Sequence, residues 1–170
     1  MAEQDESDAA KVLRGVVAGA IAGAVASFAM DRFQAAVSAL NSSDEDTGEQ
    51  SEPATEKAAD ALAEQVSGRE IANADKPLAG QAIHYALGLG LGVAYGIAAE
   101  FRPSLTSGYG AGFGVATATL LDEAAVPAVG LGSAPWRTDL STNLYSYASH
   151  LVFGVTSELV RRQVADTLRA

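Results

Sequence analysis

Asp31, His84, Asp122, Glu123 and His150 stand inside or at the ends of apolar stretches that are otherwise almost free of charge. An ionisable side chain in such a setting is expensive to desolvate, and it marks a functional site whose partner must be found. Imidazole changes charge between pH 5 and 8, and imidazole beside carboxylate can share a proton or hold a divalent ion. These residues form the candidate ion or proton site. A plainer role competes with it, because each histidine could simply hydrogen-bond a carbonyl or hydroxyl of a neighbouring helix. No His-x-x-Glu pair and no closely spaced pair of histidines points to a metal centre. Cysteine is absent, which removes disulfides, thiolate ligands and thiol nucleophiles. No catalytic residues, metal site or cofactor are predicted.

The elements that position these residues are four apolar segments, 12–40, 78–99, 107–121 and 144–160, the third broken by Asp122 and Glu123 and resuming through Pro127. As a helix the second segment is roughly 33 Å long, enough to cross a hydrocarbon core of about 30 Å. Each segment carries a row of residues four apart. The rows read Gly15, Gly19, Gly23, Ser27, Asp31; then His84, Gly88, Gly92, Gly96, Glu100; then Gly110, Gly114, Ala118, Asp122; and last Ser146, His150, Gly154, Glu158.

In water a helical glycine costs about 1 kcal/mol relative to alanine. In a bilayer the backbone has no water to bond, so helix is nearly forced, and small residues four apart let two helices approach closely. The glycines are therefore predicted to be helix-packing faces. "GLGLGVAYG" and "GYGAGFG" do not read as phosphate loops, since no Walker lysine follows either. Such a row drifts by about 40° every four residues, so His84 and Glu100, roughly 24 Å apart, are not a catalytic pair. Glu100, Arg102, Glu158, Arg161 and Arg162 are expected as boundary charges, the acids pairing with arginines adjacent in sequence.

Composition supports the same picture. The net charge is −10, yet of 21 acids four fall in residues 1–10 and ten in residues 41–76. Apolar segments between acidic solvated stretches fit a membrane protein, and the absence of a basic footprint argues against nucleic-acid binding. The acidic start shows no cleavage site, so the first apolar run is expected to stay in the protein. A soluble Ala/Gly-rich bundle is the alternative.

The predicted fold is an all-α integral membrane four-helix bundle with GxxxG-like packing and a short amphipathic surface helix. Residues 1–11 form an acidic cytoplasmic tail and 12–40 the first span with its extension. An acidic extracytoplasmic loop, 41–77, carries the surface helix at about 55–67. Spans two to four occupy 78–162, and 163–170 is a cytoplasmic tail. The stretch "NSSDEDTGEQSEPATE" reads as a solvated linker. Lys11, Arg14, Arg102, Arg161, Arg162 and Arg169 place both termini on the cytoplasmic side.

"IHYALGLGLGVAYGIAAEFRP" and "YASHLVFGVTSELVRR", joined by a Gly-rich span and "GLGSAPWRTDL", resemble a YagU-like family of uncharacterised bacterial inner-membrane proteins. The resemblance runs over residues 83–162 and rests on His84, Glu100, Pro103, Trp136, His150, Glu158, Arg161 and Arg162. Ser149 stands where the family has glycine, and residues 41–76 do not look like the family's counterpart. The resemblance implies a multi-pass plasma-membrane protein and carries no settled activity. The expected function is a non-enzymatic membrane component, self-associating or accessory to a membrane complex, with the lipid bilayer as partner. The alternatives are proton, ion or small-solute transport through the intramembrane histidines and carboxylates, and a metal-binding membrane protein.

Overall fold

A computed structural model describes residues 7–41 and 52–170. The acidic residues 1–6 and most of the predicted linker, 42–51, lie outside the described residues. Helix α1 spans Asp8–Asn41, α2 Ala54–Ser67 and α3 Lys76–Phe101. Helix α4 begins as Ala111–Thr117, passes into a π-helical stretch Ala118–Ala125 and ends in the turn Val126–Ala128. Helix α5 spans Leu140–Arg169. Short 3₁₀ turns at Pro103–Thr106 and Pro135–Arg137 complete the elements, and there is no strand among the described residues.

The glycine rows decide which helices pair. A Cβ added at Gly15 would stand 2.7 Å from the Cα of Ile97, and one at Gly19 would stand 2.9 Å from the Cα of Val93. At Gly23 the neighbours are Gly88 and Leu89, and Gly88 in turn faces the Ser27 hydroxyl. Gly92 lies against Gly19 and Gly23, and Gly96 against Gly15 and Gly19. Helices α1 and α3 thus run antiparallel along one backbone-on-backbone seam. A second antiparallel seam joins α4 to α5: Gly110 meets Gly154, Gly114 meets the His150 carbonyl, and Gly154 meets both. Gly110 must be glycine twice over, since its φ of +83° is left-handed and an added Cβ would stand 2.8 Å from the Glu158 side chain.

Between the seams the core is small. Ala18, Ala22, Ala26 and Met30 of α1 are buried, and Ala26 and Met30 pack with Phe153, Leu91 and Phe113. Tyr95 stacks on Phe113 at 4.2 Å, which ties α3 to α4. The large apolar residues of α1 point the other way: Leu13, Ile21, Val25 and Phe28 are 65%, 44%, 42% and 55% exposed. Met30 apart, the small residues of α1 face the interior and its largest apolar ones face outward.

Helices α1, over Asp8–Leu40, and α3 are long and apolar enough to cross a membrane. The third and fourth predicted spans differ from a regular membrane helix. Helix α5 is long but polar at intervals, and α4 is interrupted by its π stretch. Thr117 and Thr119 back-bond the carbonyls of Phe113 and Val115, both at 2.9 Å, which draws acceptors away from the regular ladder. Pro127 then supplies no N–H. The π stretch has a structural consequence: four α-helical residues overshoot a turn, whereas the slower π winding undershoots it and keeps Asp122 facing α5.

Candidate functional site: a cavity between two Asp–His pairs

Each seam ends in an aspartate opposite a histidine, at the same end of the bundle. On the first, His84 Nε2 lies 3.3 Å from Asp31 Oδ1 without forming a hydrogen bond, and the Gln81 amide donates to Asp31 Oδ2 at 2.7 Å. On the second, His150 Nδ1 lies 3.5 Å from Asp122 Oδ2 and 3.0 Å from the Ser146 carbonyl. A carbonyl only accepts, so Nδ1 carries the proton and the neutral ring keeps its lone pair on Nε2. The Ser146 hydroxyl donates to Asp122, so one residue fixes both members of the pair.

The two pairs open on one cavity of about 460 Å³, lined by Asp31, His84, Asp122 and His150 together with Ser27 and Phe153. Glu123, next in sequence to Asp122, is half-buried and does not line it. Helix α2 covers the mouth, contributing Thr55, Glu56 and Ala58 to the lining. It is held there by its buried Ala59 and by Lys76, which pairs with Glu52 at 2.7 Å and with Asp60. Asp60 also accepts the Ile71 N–H at 3.0 Å. Its hydrogen bond with Lys76, assisted by the Ile71 N–H and the lysine's charge, holds its carboxyl below the usual aspartate value against the opposing effect of burial.

The opposite end is closed by charge. Glu158 is fully buried; it accepts the Tyr95 hydroxyl at 2.9 Å and Arg161 at 2.8 and 2.9 Å. Glu100, whose side chain is 2% exposed, accepts Arg14 Nε at 2.9 Å and Arg169 at 3.0 Å, with Arg161 at 3.6 Å. The network joins α1, α3 and α5. The arginines that meet Glu100 come from distant helices, whereas the adjacent Arg102 is exposed and takes no part. Arg162 reaches Glu158 only at 4.0 Å and lies over the Tyr109 ring.

The geometry therefore brings Asp31, His84, Asp122 and His150 to one space and holds Glu100, Glu158 and Arg161 apart from it. Among the described residues no three His, Asp or Glu side chains gather as a metal site. The chemistry available is proton exchange and recognition of a polar or charged solute. Several participants carried no local signal in the sequence: Gln81, Tyr95, Arg14, Arg169 and the mouth-covering face of α2.

A family model described as "Protein of unknown function (DUF1440)" matches residues 55–159. The chain belongs to the DUF1440 family. This is the family of the YagU-like proteins, and the match reaches back to residue 55, so α2 from Thr55 onward lies inside the family region, contrary to the expectation that residues 41–76 stand apart from the family. The DUF1440 region holds His84, Asp122, His150 and α2, while Asp31 comes from α1 outside it. No curated protein and no solved structure matches the chain.

Proposed function

We propose that this DUF1440 protein is a multi-pass protein of the plasma (inner) membrane that moves protons, an ion or a small solute through the cavity between its two Asp–His pairs. The membrane reading is supported by the arrangement of α1, with alanine, glycine and serine facing inward and leucine, isoleucine, valine and phenylalanine facing outward. That is the reverse of a water-soluble helix and suits one that packs in lipid. In this reading α1, α3, α4 and α5 all cross, both termini are cytoplasmic by the distribution of lysine and arginine, and the cavity faces outward.

The observation that carries the proposal is the convergence. Two Asp–His pairs from two separate helix seams meet at one cavity, and a buried charge network closes the other end. Repeated helix pairs around a polar space are a recurrent plan of membrane carriers. The nine glycines predicted as packing faces are occupied within the chain, so they do not favour self-association. Protein reconstituted in liposomes with a pH-sensitive dye inside should carry proton or solute flux, reduced at least tenfold in His84→Gln and His150→Gln. Equal flux in wild type, both variants and empty liposomes would overturn the proposal.

A further inference from the structure

We propose that the cavity takes a small organic cation, an ammonium group carried on an apolar body; this rests on the cavity being the transport site. Among the described residues three carboxylates line it, Asp31, Asp122 and Glu56, and no lysine or arginine does. Apart from its two histidines, no side chain among the described lining residues can offset this negative charge. Lys76, just outside, is already engaged by Glu52 and Asp60. An anion entering this space meets like charge on several sides, whereas an ammonium meets acceptors.

A second observation is independent of the acids. Ser27 borders the cavity fully buried, its hydroxyl facing Gly88 without a hydrogen-bond partner, and His84 Nε2, 3.3 Å from Asp31 Oδ1, is buried without a hydrogen bond as well. Buried polar atoms are normally paired, and an unpaired hydroxyl beside a cavity is an acceptor that a donor entering there can complete. The Ser27 hydroxyl can accept an N–H. Size and lining then select the kind of cation. The cavity's 460 Å³ corresponds to roughly fifteen waters at about 30 Å³ each, too roomy for a bare ion. No metal triad forms among the described residues, and Met30, Leu87, Leu91 and Phe153 supply an apolar wall for a hydrocarbon body. The ammonium is placed between the carboxylates of the two seams, with the hydrocarbon against Phe153.

The test uses the full chain in mild detergent, titrated calorimetrically at pH 8 with n-butylammonium, 1-butanol and butyrate. Butylammonium should bind, with butanol at least tenfold weaker and butyrate weaker still. Asp31→Asn and Asp122→Asn should each weaken butylammonium at least tenfold, while Arg162→Gln leaves it unchanged. Butanol or butyrate binding as well as butylammonium, or Asn variants binding like wild type, would overturn the assignment. Because the chain has no cysteine, Thr55→Cys gives a second measurement that does not depend on the Asn variants folding. Maleimide should label it more slowly with butylammonium than with butanol, and equal rates count against the proposal. Ammonium binding without any flux would sink the transport reading alone; flux without ammonium binding would sink this one alone.

Discussion

Two glycines of α3, only two positions apart, should respond to the same substitution with opposite signs. At Gly92 an added Cβ would stand 2.7 Å from the Gly23 Cα and 2.8 Å from its nitrogen, with the Gly19 carbonyl closer still. Carbon atoms rest at about 3.5–4.0 Å, so α1 and α3 must part by nearly 1 Å, which forfeits a quarter to a half of the dispersion energy of each seam contact. All the crowding atoms are backbone, so no side chain can swing aside. Overpacking of this kind costs about 1–3 kcal/mol, and Gly92→Ala belongs at the upper end. At Gly90 nothing lies within 4 Å of the added atom. There alanine should be neutral or should stabilise by up to about 1 kcal/mol, through lower backbone entropy in the unfolded chain. The assay is reversible unfolding in mixed micelles, followed by helical circular dichroism. A gap of at least about 2 kcal/mol between the variants is expected. Agreement within about 0.5 kcal/mol would refute the seam as a close backbone contact.

Other consequences follow from the charged ends. Glu158→Ala should destabilise by about 3 kcal/mol, the lower end for breaking a buried pair, because Glu100 still faces Arg161 at 3.6 Å. Arg162→Gln, removing a 53% exposed side chain 4.0 Å from Glu158, should change stability by less than about 0.5 kcal/mol in the same unfolding assay. Asp60 titrates lower in the folded protein than in the unfolded chain, so its stabilisation of the α2 contact is complete above the unfolded value and is lost as pH falls through the depressed one. Hydrogen exchange in α2 should therefore keep its protection factor from pH 8 to 5 and lose it only below about pH 4. Lys76→Gln should weaken α2 protection already at neutral pH.

The parts that could be read from the sequence were those with a local signature. Spacing of four marked Gly15, Gly19 and Gly23 as a contact face, and the structure shows that face pressed on Gly88, Gly92 and Gly96. The surface helix expected at about 55–67 spans Ala54–Ser67, its amphipathic pattern being enough to place it. What that helix covers was not legible, because the cavity exists only once α1, α3, α4 and α5 are assembled. Glu100 illustrates the same limit. Arg102 lay beside it in sequence, but Arg14 and Arg169 reach it from 86 and 69 residues away. The π stretch around Asp122 left no pattern either, since neither the back-bonding threonines nor the later proline marks a π winding in the sequence.

The antiparallel seams also imply an order of manufacture. Helix α3 can close on α1 as soon as it is made, before any of α4 or α5 exists. Helix α5 comes last and carries Phe153, Glu158 and Arg161, the residues that bind the two halves to each other. Between synthesis of Glu100 and of Arg161 lie roughly sixty residues, or about 3–12 s at ordinary ribosomal speed. For that interval the first hairpin must wait with Tyr95 and Glu100 short of their final partners. A nascent chain stalled there is the species that quality-control proteases would meet.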